Sequence, residues 1–139
     1  MDRAAFWRGY RSNEAARKEN QERQPLAELL YATGNYDAMY FAGIIADSMT
    51  MTEADFERWM DAAYFYMLSD FVVVVTLAET EFAQVVADKW IASGEELRMS
   101  AGWSCYCWLL GNCPDTEFSA SKIASMLDQV ENTIHDSPD

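Results

Sequence analysis

This chain has little of what catalytic and metal-binding sites are commonly built from. It holds one histidine, His135, close to its C-terminal end. No nucleophile is recognisably paired with that imidazole, so Ser–His and Cys–His chemistry is poorly supported. Cysteine is scarce too: Cys105, Cys107 and Cys113 are the full set of three. Two residues apart on a helix, Cys105 and Cys107 point roughly 200° from each other and do not converge on a metal. An odd number at close range suits reduced thiols in a cytoplasm better than a disulfide framework. No Gly-rich phosphate loop is present, so neither a cofactor nor a metal is expected. The longest apolar run, Phe71 to Ala78, falls far short of the roughly 20 residues a membrane helix needs. The opening MDRAAFWRGYRSNEAARKEN has no apolar core leading to a small-residue cleavage site. A soluble, cytoplasmic protein without a membrane partner is expected.

Positive charge is also in short supply, and it is unevenly spread. Ten Lys and Arg stand against 23 Asp and Glu, for a net charge of −13. Residues 1–23 hold six cations and four acids, a balance of +2, whereas residues 24–139 carry −15. Duplex DNA is held largely by neutralising phosphates, and a body this acidic supplies little of that. The acidity serves solubility, or it suits a basic protein partner or a DNA-mimicking role.

What the chain does have is apolar and aromatic surface: 50% hydrophobic and 14% aromatic residues over 139 positions. That is enough for one domain with a real core. The punctuation marks a series of helices. A polar helix is expected from Asp2 to about Glu22. Pro25 suits the first turn of a second, PLAELLYATG, with Gly34 as its C-terminal cap. Asn35 can cap a third, in which Met39, Ala42, Ile45 and Ala46 recur at helical spacing. Thr52 and Asp55 form a capping box for a fourth, with Phe56, Trp59, Met60 and Ala63 on one stripe. The run Phe71 to Leu77 has four consecutive valines and is β-prone. Nothing else alternates as a partner strand would, so it reads as a helix buried on most sides. Helix is expected to continue from Glu79 to Ser93, then from Glu95 to Leu110 with Gly111 closing it. A last helix, about Glu117 to Ile134, has Ile123, Met126, Leu127, Val130 and Ile134 as its stripe, and residues 135–139 form a tail. With short links and no strand, the fold class is all-α: antiparallel helical hairpins stacked side by side. No strict sequence period is visible, so a repeat is expected in structure and not in text.

Three segments in order, LAELLYATGNYDAMYFAGIIADSMTMTEADFERWM, then YFYMLSD, then KWIASGEEL, resemble the DNA alkylation repair family, the HEAT-like alkylpurine DNA glycosylases of bacteria. The likeness covers roughly Leu26 to Val130. It rests on helix phasing, on an aromatic-x-x-x-Asp element and on the helix ending Lys-Trp-Ile-Ala-Ser. The resemblance implies a superhelix of paired helices and removal of cationic alkylated purines from DNA. It places the family's catalytic aspartate on Asp70 and the tryptophan one turn earlier on Tyr66. An arginine of the following repeat falls near Ser100, with Arg98 as its possible replacement. The chain departs from the pattern at Tyr66, at Met67 in place of an acid, and at Ser100.

The chemistry of such a site is electrostatic. Cleaving the glycosidic bond of a cationic base develops oxocarbenium character that a carboxylate stabilises. Aromatic faces hold the base by cation–π attraction of about 0.5–2 kcal/mol each. Tyr66 and Asp70, four apart on a helix, share a face. Each also has a purely structural reading: Asp70 as a carboxylate near a helix start, and Tyr66, with the tryptophans, as packing aromatics. Recognition of alkylated bases and a non-catalytic, acidic helical module both stand. So does self-association through exposed Trp and Met residues.

Overall fold

A computed structural model of the chain describes residues 14–134. Seven helices occupy them: α1 Glu14–Tyr31, α2 Tyr36–Ile45, α3 Glu53–Ala62, α5 Ala83–Ile91, α6 Glu96–Asn112 and α7 Ala120–Thr133, with α4 between α3 and α5. α4 is a π-helical stretch, Met67–Val73, running straight into an α-helical turn, Val74–Leu77. No strand occurs among the described residues.

Local chemistry accounts for most boundaries. Gly34, at φ +69, takes the left-handed turn that ends α1. Asn35 Oδ1 accepts from the Ala38 N–H at 3.1 Å and starts α2. Before α3, the Asp55 carboxylate accepts from the Thr52 N–H at 2.8 Å while Thr52 Oγ1 accepts from the Asp55 N–H. That is the expected capping box.

Four boundaries differ from expectation. α1 runs through Pro25 instead of restarting there. Proline removes one intrahelical bond, but Pro25 is exposed, and water can take the freed carbonyl. The expected helix from Asp2 lies outside the described residues up to position 13. The stretch expected to continue helically from Glu79 instead turns, and α5 starts at Ala83. There the Thr80 hydroxyl donates to the Leu77 carbonyl at 2.7 Å, an alternative to the helical ladder. α6 passes Gly111 and stops at Cys113, because the residue before Pro114 is driven into extended backbone. α7 begins at Ala120, later than Glu117, with Ser119 accepting from the Lys122 N–H.

The helices form two layers. α1, α3, α5 and α7 make the first, and they are joined by a ladder of side chains. Glu28 accepts from the Arg58 guanidinium at 2.7 Å and the Trp59 indole N–H at 3.2 Å. One repeat on, Glu57 accepts from Lys89 at 2.8 Å and the Trp90 indole at 3.1 Å. Asp88 then accepts from Lys122 at 2.7 Å. The ladder has a textual echo: Glu57-Arg58-Trp59 recurs as Asp88-Lys89-Trp90, and Ser121-Lys122-Ile123 stands in the same place on α7. A second echo joins Ala32-Thr33-Gly34 to Ala92-Ser93-Gly94. In each turn the hydroxyl donates back to a carbonyl at 2.7 Å and accepts the N–H two residues on. The absence of a visible sequence period is corrected to that extent.

The second layer is α2, α4 and α6. At its first crossing a Cβ on Gly43 would lie 2.6 Å from Val72 Cγ1, so with any larger residue there the Val72 side chain would have to shift for α2 and α4 to meet as closely. The core lies between the layers. Met39, Phe56, Trp59, Leu68, Val73, Leu77, Trp90 and Tyr106 are essentially fully buried, and each aliphatic or phenyl side chain among them contributes about 1.5–3 kcal/mol. The valine run is helical and mostly buried, as its lack of a partner strand implied. The stripe expected on α7 is different: only Met126 packs against the core.

Candidate functional site

Asp70 sits on α4 in the π-helical stretch, where the Val74 N–H reaches back five residues to the Ser69 carbonyl. π-turns insert one residue into a helix and are frequent at functional positions. Here the widened turn leaves Leu68, Ser69, Val72 and Val73 buried while Phe71 is exposed and Asp70 half-buried.

The Asp70 carboxylate is held by three hydroxyls. Oδ1 accepts from Ser69 Oγ at 2.8 Å. Oδ2 accepts from Ser100 Oγ at 2.8 Å and from Ser104 Oγ at 3.1 Å. Ser100 and Ser104 are one turn apart on α6 and so share the face turned to α4. A carboxylate has about four lone-pair sites, and three serine donors take most of them. None of the bonds is to the backbone N–H groups that a helix cap would use.

Tyr66 does not join this cluster through its hydroxyl. That group donates to Glu96, at the start of α6, and the bond raises the phenol's pKa above its ordinary value. With it, Tyr64 and Phe65 lie exposed on the α3–α4 link. The Tyr64 hydroxyl donates to the Gly34 carbonyl, and the Phe65 ring meets Tyr36 edge-on at 6.4 Å. An aromatic string thus runs along the edge where α2, α4 and α6 begin.

Arg98 lies about 200° round α6 from Ser100. Its guanidinium bonds Glu57 at 2.5 Å, Asp61, and Glu95 at 3.1 Å. Burial works against its charge, but the Glu57 and Asp61 carboxylates outweigh that and raise its pKa. Arg98 therefore braces α6 on α3, and Asp70 and Arg98 are not brought together. Each of the four cations in residues 24–139 is likewise committed to an acid: Arg58, Lys89, Arg98 and Lys122. Among the described residues no group of three or more His, Cys, Asp or Glu could hold a metal. None of the described helices is long and apolar enough to cross a membrane.

Sequence reasoning singled out Asp70 but not Ser104, and it treated Ser100 only as a missing arginine. The i, i+4 serine pair on the helix after the Lys-Trp element was the available signal.

None of the curated proteins matches the chain. It is similar to a solved structure described as "A new family of proteins related to the HEAT-like repeat DNA glycosylases with affinity for branched DNA structures", at 73% identity and a TM-score of 0.81. The match covers 83% of this chain and 49% of that one, so this chain spans about half of that protein's length. The two-layer stack is accordingly HEAT-like. The profile of the family described as DNA alkylation repair enzyme matches residues 3–139. By that match, over nearly its whole length, the chain belongs to the DNA alkylation repair family.

Proposed function

We propose that this chain binds DNA for its branched geometry and does not excise alkylated bases. The observation carrying this reading is the state of Asp70. Its carboxylate is tied down by Ser69, Ser100 and Ser104, and the arginine that the family resemblance places near Ser100 is absent. A carboxylate that spends its lone pairs fastening two helices is ill-placed to meet a developing sugar cation. Tyr66, the ring that would face a flipped base, is fastened to Glu96. The affinity for branched DNA of a relative at 73% identity supports the binding half of the proposal.

Phosphate contact would draw on residues 1–23, with their six cations, because the cations of the body are engaged. Few phosphates would be neutralised, so binding should weaken only gently with salt, at about one power of salt per phosphate. Shape, and unstacked bases on exposed aromatics, would supply the rest.

Gel-shift titration of a four-way junction against linear duplex of equal length tests the binding half. Release of 3- or 7-methylpurines from methylated DNA tests the other. A junction preference with no release above an Asp70→Asn control is expected. Release that depends on Asp70 would return the chain to base excision, with Tyr66 and Asp70 as its site. Equal and negligible affinity for both DNAs would favour the second reading, an acidic module for a basic protein, which the −15 charge of residues 24–139 suits.

A further inference from the structure

Phe71 follows the clasped Asp70 on α4 and is 56% exposed, although α4 is the middle helix of its layer. Gly43 of α2 meets α4 at Val72 on one side, and Ser100 and Ser104 of α6 meet it at Asp70 on the other. The first layer lies behind, against the buried Leu68, Val73 and Leu77. The ring therefore stands on the open face of the second layer, on a π-turn fastened by the serine clasp. Other apolar groups share that face. Tyr40 and Ile44 flank Gly43 on α2 and are 43% and 66% exposed. Trp108, one turn beyond Ser104 and so on the side of α6 turned to α4, is 40% exposed. Charge is sparse: α2, α4 and α6 carry only Asp37, Asp70, Glu96 and Arg98, and α6 has none from Met99 to Asn112. By contrast α3 alone, in ten residues, carries Glu53, Asp55, Glu57, Arg58 and Asp61. The open face offers no free cation to a phosphate, but its rings suit the flat, uncharged face of a nucleobase.

We propose that Phe71 is the residue that recognises the branch, stacking against an unpaired base at the open centre of branched DNA with Tyr40 and Trp108 to either side. The inference rests on the reading of the chain as a branch-binding protein and names the contact that makes it selective. In linear duplex every base face is covered by its neighbours. Only where arms diverge can a ring reach a base without first unstacking the helix. Phe71 thus separates junction from duplex without hydrogen bonds to base edges, and it tolerates any sequence because every base has a π-face. The same contact lets an acidic chain hold DNA, since stacking neutralises no phosphate. Packed helices lie about 8–10 Å apart, and that is about a Debye length at physiological salt, so the first-layer acids are largely screened from a strand on the second layer. The bonds from Asp70 to α6 fasten the turn beside Phe71, and a ring already held in place loses little freedom on binding.

A four-way junction carrying 2-aminopurine at the branch point, titrated beside linear duplex of equal length, tests this by gel shift and by fluorescence. Wild type is expected to prefer the junction and to change the probe's emission on binding. Phe71→Ala should weaken junction binding about five- to a hundredfold, leave the weaker duplex binding unaltered and abolish the emission change. Phe71→Trp should restore both junction binding and the emission change. Val85→Ala, at an exposed apolar position of the first layer, should alter none of them. Circular dichroism checks that each variant is folded. A junction preference and emission change that survive in Phe71→Ala overturn the assignment while branch binding itself stands. A loss in Phe71→Trp as deep as in Phe71→Ala overturns stacking as its cause. Equal wild-type affinity for junction and duplex overturns the branch-binding reading and this inference with it.

Discussion

The Asp70 carboxylate and the Ser100 hydroxyl, 30 residues apart in sequence, meet at 2.8 Å and fasten α4 to α6. With Ser69 and Ser104 they make a polar clasp on the second layer. Its geometry ties the residue picked out as a catalytic candidate to two neighbouring helices, its own α4 and α6.

If the clasp is structural, Asp70→Ala leaves the partly buried Ser100 and Ser104 hydroxyls without this acceptor, while Ser69 keeps the Tyr66 carbonyl, and destabilises the fold by about 1–3 kcal/mol. Asp70→Asn keeps an acceptor oxygen and costs less. Urea denaturation measures both. A carboxylate held in strain for catalysis would give the reverse, a neutral or stabilising alanine.

Glu57 links three helices through Lys89, Trp90 and Arg98. Burial alone would raise its pKa, but the bonds from Lys89, Arg98 and Trp90 outweigh it and hold the carboxyl below its ordinary value of 4.5. A carboxyl depressed by folding stabilises above its unfolded pKa, and that contribution is lost as pH falls through the folded one. Stability should therefore decline below about pH 5. Glu57→Gln should flatten that limb in melting curves taken across acid pH, and a Glu57→Gln profile parallel to wild type would remove the ladder from the account.

At the crossing of α5 and α6, a Cβ on Gly102 would lie 2.7 Å from Ile91 Cγ1 and 2.8 Å from the Ala87 carbonyl oxygen. The backbone oxygen cannot step aside as a side chain could. Gly102→Ala should cost about 1–3 kcal/mol. Gly111, in the same helix with nothing within 4 Å, is the control: Gly111→Ala should stabilise by about 0.5–1 kcal/mol. Thermal melts of the pair separate helix propensity from crossing geometry.

The three thiols should differ in reactivity. Burial pushes the Cys105 thiol up to about 12, and it should stay silent to alkylation in the folded protein. Cys107 is exposed and Cys113 half-buried. Mass spectrometry after brief iodoacetamide treatment should find Cys107 modified first. Modification of Cys105 at a similar rate would contradict the packing of α6.

Much of the architecture was legible because it is written in local chemistry. The Thr52–Asp55 box, the Asn35 cap, Gly34 and the buried stripe of α3 each depend on residues within a turn or two of one another. The valine run was assigned by elimination, and its π-turn was not foreseen, since no propensity distinguishes a helix with one inserted residue. The Asp70 clasp joins residues 30–34 apart, a separation at which side-chain chemistry reveals types but not neighbours. Arg98 illustrates the same limit. Its proximity in sequence to Ser100 suggested a shared site, while the helical turn between them sends it to the opposite side.

By itself the sequence determined that the chain would be helical, where most helices would begin and end, and which faces would seek cover, because capping and amphipathic spacing act over a few residues. Only the tertiary structure decided that Asp70 is bound by serines, that the body's cations are spent on its own acids, and that of the last stripe only Met126 packs against the core among the described residues. Those outcomes depend on which helices lie side by side, and adjacency is set by packing of the whole stack.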